Sequence, residues 1–299
     1  MNCTIGIDVG TSGCKAVLVD ESTDIVASAT RGYELIMPRP GWTEQRPEDW
    51  WNAAVECLKE LSGALGGRRL AGIGLSGQMH GMVALDMDGR PVRPAILWND
   101  QRTQTQCDEI VAAAGGLDAL LAYTSNPMLT GFTAGKILWL KQNEPEHYAK
   151  TRRIVNPKDY IRLRLCGTLA TDESDASGFG LFDVKERRWA YELIRKAGLD
   201  ADMFPDVAES VAVTGEVSAA AAAATGIPAG TPVFGGGGDA VISTVGMGLA
   251  LPGRVGVTLG TSGVVATGLE HYRTNPEGRL QLCCNVLPGA WHIFGCTLN

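Results

Sequence analysis

A thirteen-residue pattern occurs twice in this chain, and it restricts the fold more than any local propensity does. Ile5–Val17 (IGIDVGTSGCKAV) aligns without gaps on Val255–Thr267 (VGVTLGTSGVVAT), with six identities at an offset of 250 residues and an unbroken GTSG in each copy. Each copy reads as an apolar strand, a glycine-containing turn and a returning strand. Recurrence of such a unit predicts two lobes of shared architecture, each opening on the same hairpin. On this reading residues 1–250 form the first lobe, and residues 251–299 hold the start of a second that is cut short.

Between the copies, strand and helix signals alternate. Leu70–Ser76 and Met82–Asp86 read as buried strands, and Thr231–Phe234 as a short one. A helix opens near Pro47, a residue suited to a first helical turn, and carries Trp51, Val55, Leu58, Leu61 and Leu65 on one side. Further helices are predicted over 101–114, 132–143, 157–165, 189–197 and 216–225. Mixed elements in this order indicate an α/β fold. The 299 residues suffice to bury a core without crosslinks, and the eight cysteines, lacking any C-x-x-C pair, are expected to be free thiols. A net charge of −7 with no basic stripe argues against a nucleic-acid partner. Without a long apolar run or a leader-like N-terminus, no membrane association is expected, and a cytoplasmic location is.

Four segments carry chemistry. In the first hairpin, the glycines of Gly10-Thr11-Ser12-Gly13 let successive N–H groups point one way, and the Thr and Ser hydroxyls add donors. Such a nest suits phosphate oxygens, although an ordinary hairpin turn explains one copy equally well. Asp8 precedes the first turn where Thr258 precedes the second, and Lys15 adds a positive charge. A single carboxylate beside a phosphate cradle suits Mg²⁺. Gly235–Gly238 runs into Asp239 at a predicted helix start. Helix capping accounts for an Asp there about as well as a general base does. In Ser76-Gly77-Gln78-Met79-His80-Gly81, glycines bring Gln and His side chains close to a small polyol, and Trp98-Asn99-Asp100 joins an aromatic wall to polar groups.

Two motif matches fail their context. Gly72–Gly77 fits G-x-G-x-x-G, but its glycines lie within a strand with no helix following. Gly131–Lys136 ends in Lys followed by Ile137, where a P-loop requires Ser or Thr.

Seven stretches in order, GIDVGTSGCK (6–15), WTEQRPEDWW (42–51), GLSGQMHG (74–81), PAILWNDQR (94–102), NPKDYIRLRLCG (156–167), GGGGDA (235–240) and LGTSG (259–263), resemble the FGGY carbohydrate kinases, most of all the xylulose kinases among them. The resemblance implies a ribonuclease-H-like lobe of the actin and hexokinase type. It further implies ATP-dependent, Mg²⁺-assisted phosphorylation of a ketopentose, D-xylulose to D-xylulose 5-phosphate. A sister kinase for ribulose, gluconate or glycerol stays open, as does an actin-like or chaperone-like nucleotide switch. By this likeness Asp8, Thr11 and Ser12 serve the Mg²⁺–ATP phosphates, with Lys15 beside them, and Gly260, Thr261 and Ser262 hold the far phosphate side. Met79 and His80 contact the sugar, with Gln78 beside them on the loop's own chemistry, Trp98, Asn99 and Asp100 line its cleft, and Asp239 is the general base. Ala240 departs from the Asn that many xylulose kinases carry. The family's adenosine-binding segment falls beyond residue 299, so this segment alone is expected to bind sugar at best. A homodimer is left as an option.

Overall fold

The computed structural model describes residues 2–250, 253–259 and 262–298. In chain order the elements that build the site are β1 (Asn2–Val9), β2 (Gly13–Asp20), β3 (Ile25–Gly32), α1 (Pro47–Gly63) and β4 (Arg69–Gly77). They are followed by α2 (Thr133–Asn143), α3 (Pro157–Cys166), β5 (Ala170–Asp172), α4 (Glu173–Ala176) and β6 (Val213–Glu216). Next come β7 (Pro232–Phe234), β8 (Gly237–Gly238) and α5 (Asp239–Gly246). The last four strands are β9 (Val255–Leu259), β10 (Ser262–Leu269), β11 (Gln281–Cys284) and β12 (Trp291–Leu298).

The central sheet runs β6-β7-β4-β1-β2-β3, with β8 pairing onto β4. Strands β1, β2 and β3 form an antiparallel meander, whereas β4 lies parallel to β1, and both β7 and β8 lie parallel to β4. Period-two alternation decides which face is buried. Cys3, Ile5, Ile7 and Val9 of β1, with Cys14, Ala16 and Leu18 of β2, point to the core, while Thr4, Gly6 and Asp8 point away.

Helix α1 covers the apolar face. Pro47 sits in its first turn as the sequence predicts, but the helix ends at Gly63, so Leu65 lies beyond it. Trp50 and Cys57, outside the predicted stripe, are buried against the sheet with Leu58 and Leu61. Trp50 is tolerated there because its Nε1 donates to Gln45 Oε1 at 3.0 Å. A second core, with Ile110, Ile137, Phe179, Phe182 and Trp189, lies among the helices that follow β4.

The second hairpin is present as β9 and β10, antiparallel, within a sheet ordered β9-β10-β12-β11. Its register differs from that of the first by one residue: Asp8 pairs with Lys15, but Thr258 pairs with Val264. All eight cysteines are free thiols. Among the described residues, no helix is long and apolar enough to cross a membrane.

Candidate active site

The outward face of the central sheet forms the floor of a cavity of about 860 Å³. Small residues make room for it: Thr4, Gly6, Gly72 and Gly74 lie where larger side chains would fill the space. Asp8 and Lys15 from the first hairpin and Asp239 from the start of α5 line the same cavity. Thus the two acids singled out from sequence, 231 positions apart, face one space.

Asp8 accepts a hydrogen bond from Ser76 Oγ of β4 at 2.8 Å. The parallel pairing of β1 with β4 sets this contact, because it places Asp8 beside Ser76. Asp239 is the first residue of α5, and Gly238 holds the capping place that the sequence left open for it. Its Oδ1 accepts from the Ala240 N–H at 2.7 Å. Burial, then the Asp8 charge, pushes its carboxyl up to about 6, against backbone N–H donors from Ala240, Met79 and its own amide. A carboxylate so tuned is ionised at neutral pH yet basic enough to take a proton from an alcohol.

Glycine is required at two points of the loop before it. Gly236 has φ 70°, and a Cβ there would sit 2.0 Å from the Leu75 carbonyl oxygen. A Cβ at Gly238 would meet the Met79 side chain at 2.4 Å. Met79 therefore packs directly over the residue preceding Asp239, and the loop after β4 closes onto the loop before α5.

His80 is held from three sides. Its backbone is left-handed, with φ 66°, and its carbonyl accepts from Lys136 Nζ at 2.9 Å and Thr133 Oγ1 at 3.2 Å. Its ring stacks on Phe132 with centroids 4.9 Å apart, and Nδ1 lies 2.8 Å from the Gly178 carbonyl oxygen. A carbonyl only accepts, so Nδ1 carries the proton and Nε2 is left as an acceptor. Burial pulls the ring's pKa down to about 4, so it is neutral at physiological pH. Lys136, rejected as part of a P-loop, is fully buried at the start of α2, where desolvation lowers it to about 7.

The remaining predicted residues divide into two groups. Thr11 donates to Gln78 Oε1 at 3.2 Å and accepts from Trp98 Nε1 at 2.9 Å, which ties the indole, 41% exposed, to the first turn. Ser12 is exposed at the tip of that turn. Asn99 accepts from Thr43 Oγ1 at 2.7 Å. Asp100 and Gln78, by contrast, turn inward. Asp100 has no exposed surface and binds the Thr43 amide and the Arg102 guanidinium, so it stands behind the wall it was expected to line. Gln78 spends its amide on Gly10, Gln45 and Thr11, which braces the turn. Both corrections have one cause: each polar group found internal partners that cost no exposure. Met79, His80 and Trp98 are not part of the lining of the large cavity. Gly260 and Thr261 lie outside the described residues, as does the side chain of Ser262.

Comparison with known proteins identifies the family of this fold. A model of the FGGY family of carbohydrate kinases, N-terminal domain, matches residues 3–246. A xylulose kinase of Klebsiella pneumoniae is 39% identical over 295 residues, covering 99% of this chain and 60% of its own length. The solved xylulose kinase from Rhodospirillum rubrum superposes with TM-score 0.94 at 31% identity, over 99% of this chain and 61% of that one. A gluconate kinase from Lactobacillus acidophilus superposes with TM-score 0.91 at 27% identity, over 98% of this chain and 59% of that one. The chain thus spans about 60% of the length of the curated relatives it matches. The family match over residues 3–246 and the whole-chain superpositions place this chain in the FGGY family of carbohydrate kinases, with the actin- and hexokinase-like α/β fold of that family.

Proposed function

We propose that the protein carrying this chain transfers the γ-phosphoryl group of ATP to the terminal primary hydroxyl of a ketopentose, D-xylulose foremost. The observation that carries this reading is the pair of carboxylates, Asp8 and Asp239, on one cavity, with Asp239 raised to about 6. Residues 1–250 then form the sugar-binding lobe and residues 251–299 open the nucleotide-binding lobe. In the transfer step Asp239 accepts the hydroxyl proton as that oxygen forms its bond to phosphorus, while the bond from phosphorus to the ADP oxygen breaks. His80 Nε2 accepts from a sugar hydroxyl, Met79 packs along the sugar's apolar edge, and Trp98 supplies the aromatic wall. Asn99 completes that wall, and Asp100 and Gln78 act from behind it by fixing Arg102 and the first turn. Thr11, Ser12 and Lys15 face the phosphates, and Gly260, Thr261 and Ser262 would meet them from the other lobe. The residues present fit a magnesium ion: Asp8, oriented by Ser76, is one carboxylate of the one or two that Mg²⁺ takes alongside phosphates and water. When bound, that ion neutralises charge on the transferring group.

A sister reading, with an aldonate as acceptor, is favoured by the superposition of the gluconate kinase. An ADP-release assay on the longest natural protein containing this segment, against ketoses, polyols and gluconate, separates the two. D-xylulose is expected to give the highest kcat/KM, and Asp239→Asn to lower kcat by about 10²–10⁴ with little change in KM. Equal turnover in the variant would remove Asp239 from the role, and no turnover with any ketose would end the ketopentose reading.

A further inference from the structure

Beneath the loop that presents Asp239 lies a cluster of charges with no access to solvent. Lys158 and Arg162 of α3, Asp159 between them, Asp172 at the end of β5 and Asp175 of α4 are all buried to within 1%. Lys158 Nζ contacts Asp159, Asp172 and Asp175 at 2.6, 2.8 and 3.2 Å, and Arg162 Nη1 contacts Asp159 at 2.7 Å. Burying five ionisable groups costs several kcal/mol for each unpaired charge, and well-packed apolar residues would serve stability as well. Such a cluster invites a reason beyond holding the fold.

Its outward bonds supply one. Arg162 Nη2 donates to the Gly235 carbonyl. Asp172 Oδ2 accepts from Ser174 Oγ at 2.5 Å and from Ser210 Oγ at 2.9 Å. Ser174 Oγ in turn accepts the Gly238 N–H at 3.1 Å, and the Ser210 carbonyl accepts the Gly236 N–H at 2.9 Å. Three of the four glycines before Asp239 are therefore pinned. The same helix supports the opposite loop: a Cβ at Gly77 would meet Lys158 at 3.1 Å, and one at Gly81 would meet Pro157 at 2.7 Å. Helix α3 thus sits under both the Asp239 loop and the Met79–His80 loop.

We propose that the buried cluster is a positioning device, in which Asp172 and Arg162 act through Ser174 and Gly235 to fix the Asp239 carboxylate relative to the Met79–His80 loop. Asp172 also caps α4, accepting the Ser174 N–H at 2.8 Å. Capping alone requires Asp172 but gives no part to the bond between Ser174 Oγ and Gly238. That bond is the point at which positioning and mere stability separate. Burial pushes the Asp175 carboxyl up to about 8.

This inference rests on the kinase reading for its kinetic arm and on no reaction for its structural arm. The test compares Ser174→Ala with Thr225→Ala in the natural protein containing this segment. Thr225 is an equally buried hydroxyl, bonded to the Ala221 carbonyl at the end of the helix Ala219–Thr225 and outside the cluster's hydrogen bonds. Ser174→Ala should lower kcat roughly tenfold while sugar KM stays within about twofold, and Thr225→Ala should leave both near the parent values. Amide hydrogen exchange at Gly238 should accelerate in Ser174→Ala alone. Unchanged kcat in Ser174→Ala, or equal losses in both variants, would overturn the proposal. Should the parent phosphorylate no sugar, the kinase reading fails separately, and Gly238 exchange still decides: faster in Ser174→Ala supports the clamp, and equal rates in all three proteins overturn it.

Discussion

The two GTSG hairpins share a sequence but not a setting. In the first, Ile5 and Ile7 are each 1% exposed, the outward face carries Asp8, and Ser76 orients that acid across the β1–β4 pairing. In the second, Val257 is 58% and Leu259 83% exposed, and Thr258 occupies the place of the acid. Even the register differs by one residue, which exchanges the faces of the returning strand. A repeated motif therefore specifies a strand, a turn and a strand, while the elements packed around each copy decide what its side chains can do. Among the described residues, α1 covers the inner face of the first copy and Asp239 lies across its outer face, whereas the second copy meets α5 through Val241 at Ala266.

The largest contrast is expected in catalysis. Replacing Asp8 with Ala should lower kcat/KM for phosphoryl transfer by about 10²–10³, whereas Thr258→Ala should cost less than tenfold, in steady-state assays of both variants. Comparable losses would mean that the two hairpins serve the phosphates alike. Stability should divide them next. Ile7→Ala opens a cavity in the core and should cost about 2–5 kcal/mol by urea titration, while Val257→Ala on an exposed strand should stay within about 0.5 kcal/mol.

These contrasts also mark what the sequence could convey. Strand–glycine–strand patterns are local, so both hairpins, the GGGG loop and the helix at Pro47 were legible from spacing alone. Asp8 and Asp239 stood out because each interrupts an apolar or glycine run, where an acid is costly without a use. Asp100 and Gln78 misled because exposure is a tertiary property, and their partners Thr43 and Gln45 approach from elsewhere in the fold. Lys136 and the Lys158–Asp172 cluster left no signal, since a buried charge and a solvated one look the same in a helix sequence. Pro157 and Lys158 against the glycines at 81 and 77, with Arg162 on the Gly235 carbonyl, show why NPKDYIRLRLCG matters.

A smaller effect concerns pH. Asp239 is raised to about 6 in the folded protein against about 3.9 when unfolded, so its ionisation opposes folding. The stability this group allows is fully present below pH about 4 and is lost as pH rises through about 6. Asp239→Asn should accordingly be more stable than the parent by about 1–3 kcal/mol at pH 8, and that advantage should vanish near pH 4, as read by thermal melts across the range. No such gain is expected from Thr258→Val in the second hairpin, which carries no acid. The smallest effect is at the oriented carboxylate: Ser76→Ala removes one hydrogen bond to Asp8 and should cost about 1–2 kcal/mol in kcat/KM through Mg²⁺–ATP, with sugar binding by calorimetry unchanged.

The claim on which the rest depends is that Asp8 and Asp239 share one cleft, and carboxyl titration by ¹³C NMR tests it without any turnover. Asp239 is expected to titrate near 6, and to move down toward the ordinary carboxylate range when Asp8 is replaced by Asn. An Asp239 carboxyl that titrates near 4 in the parent, or that ignores the loss of the Asp8 charge, would contradict it.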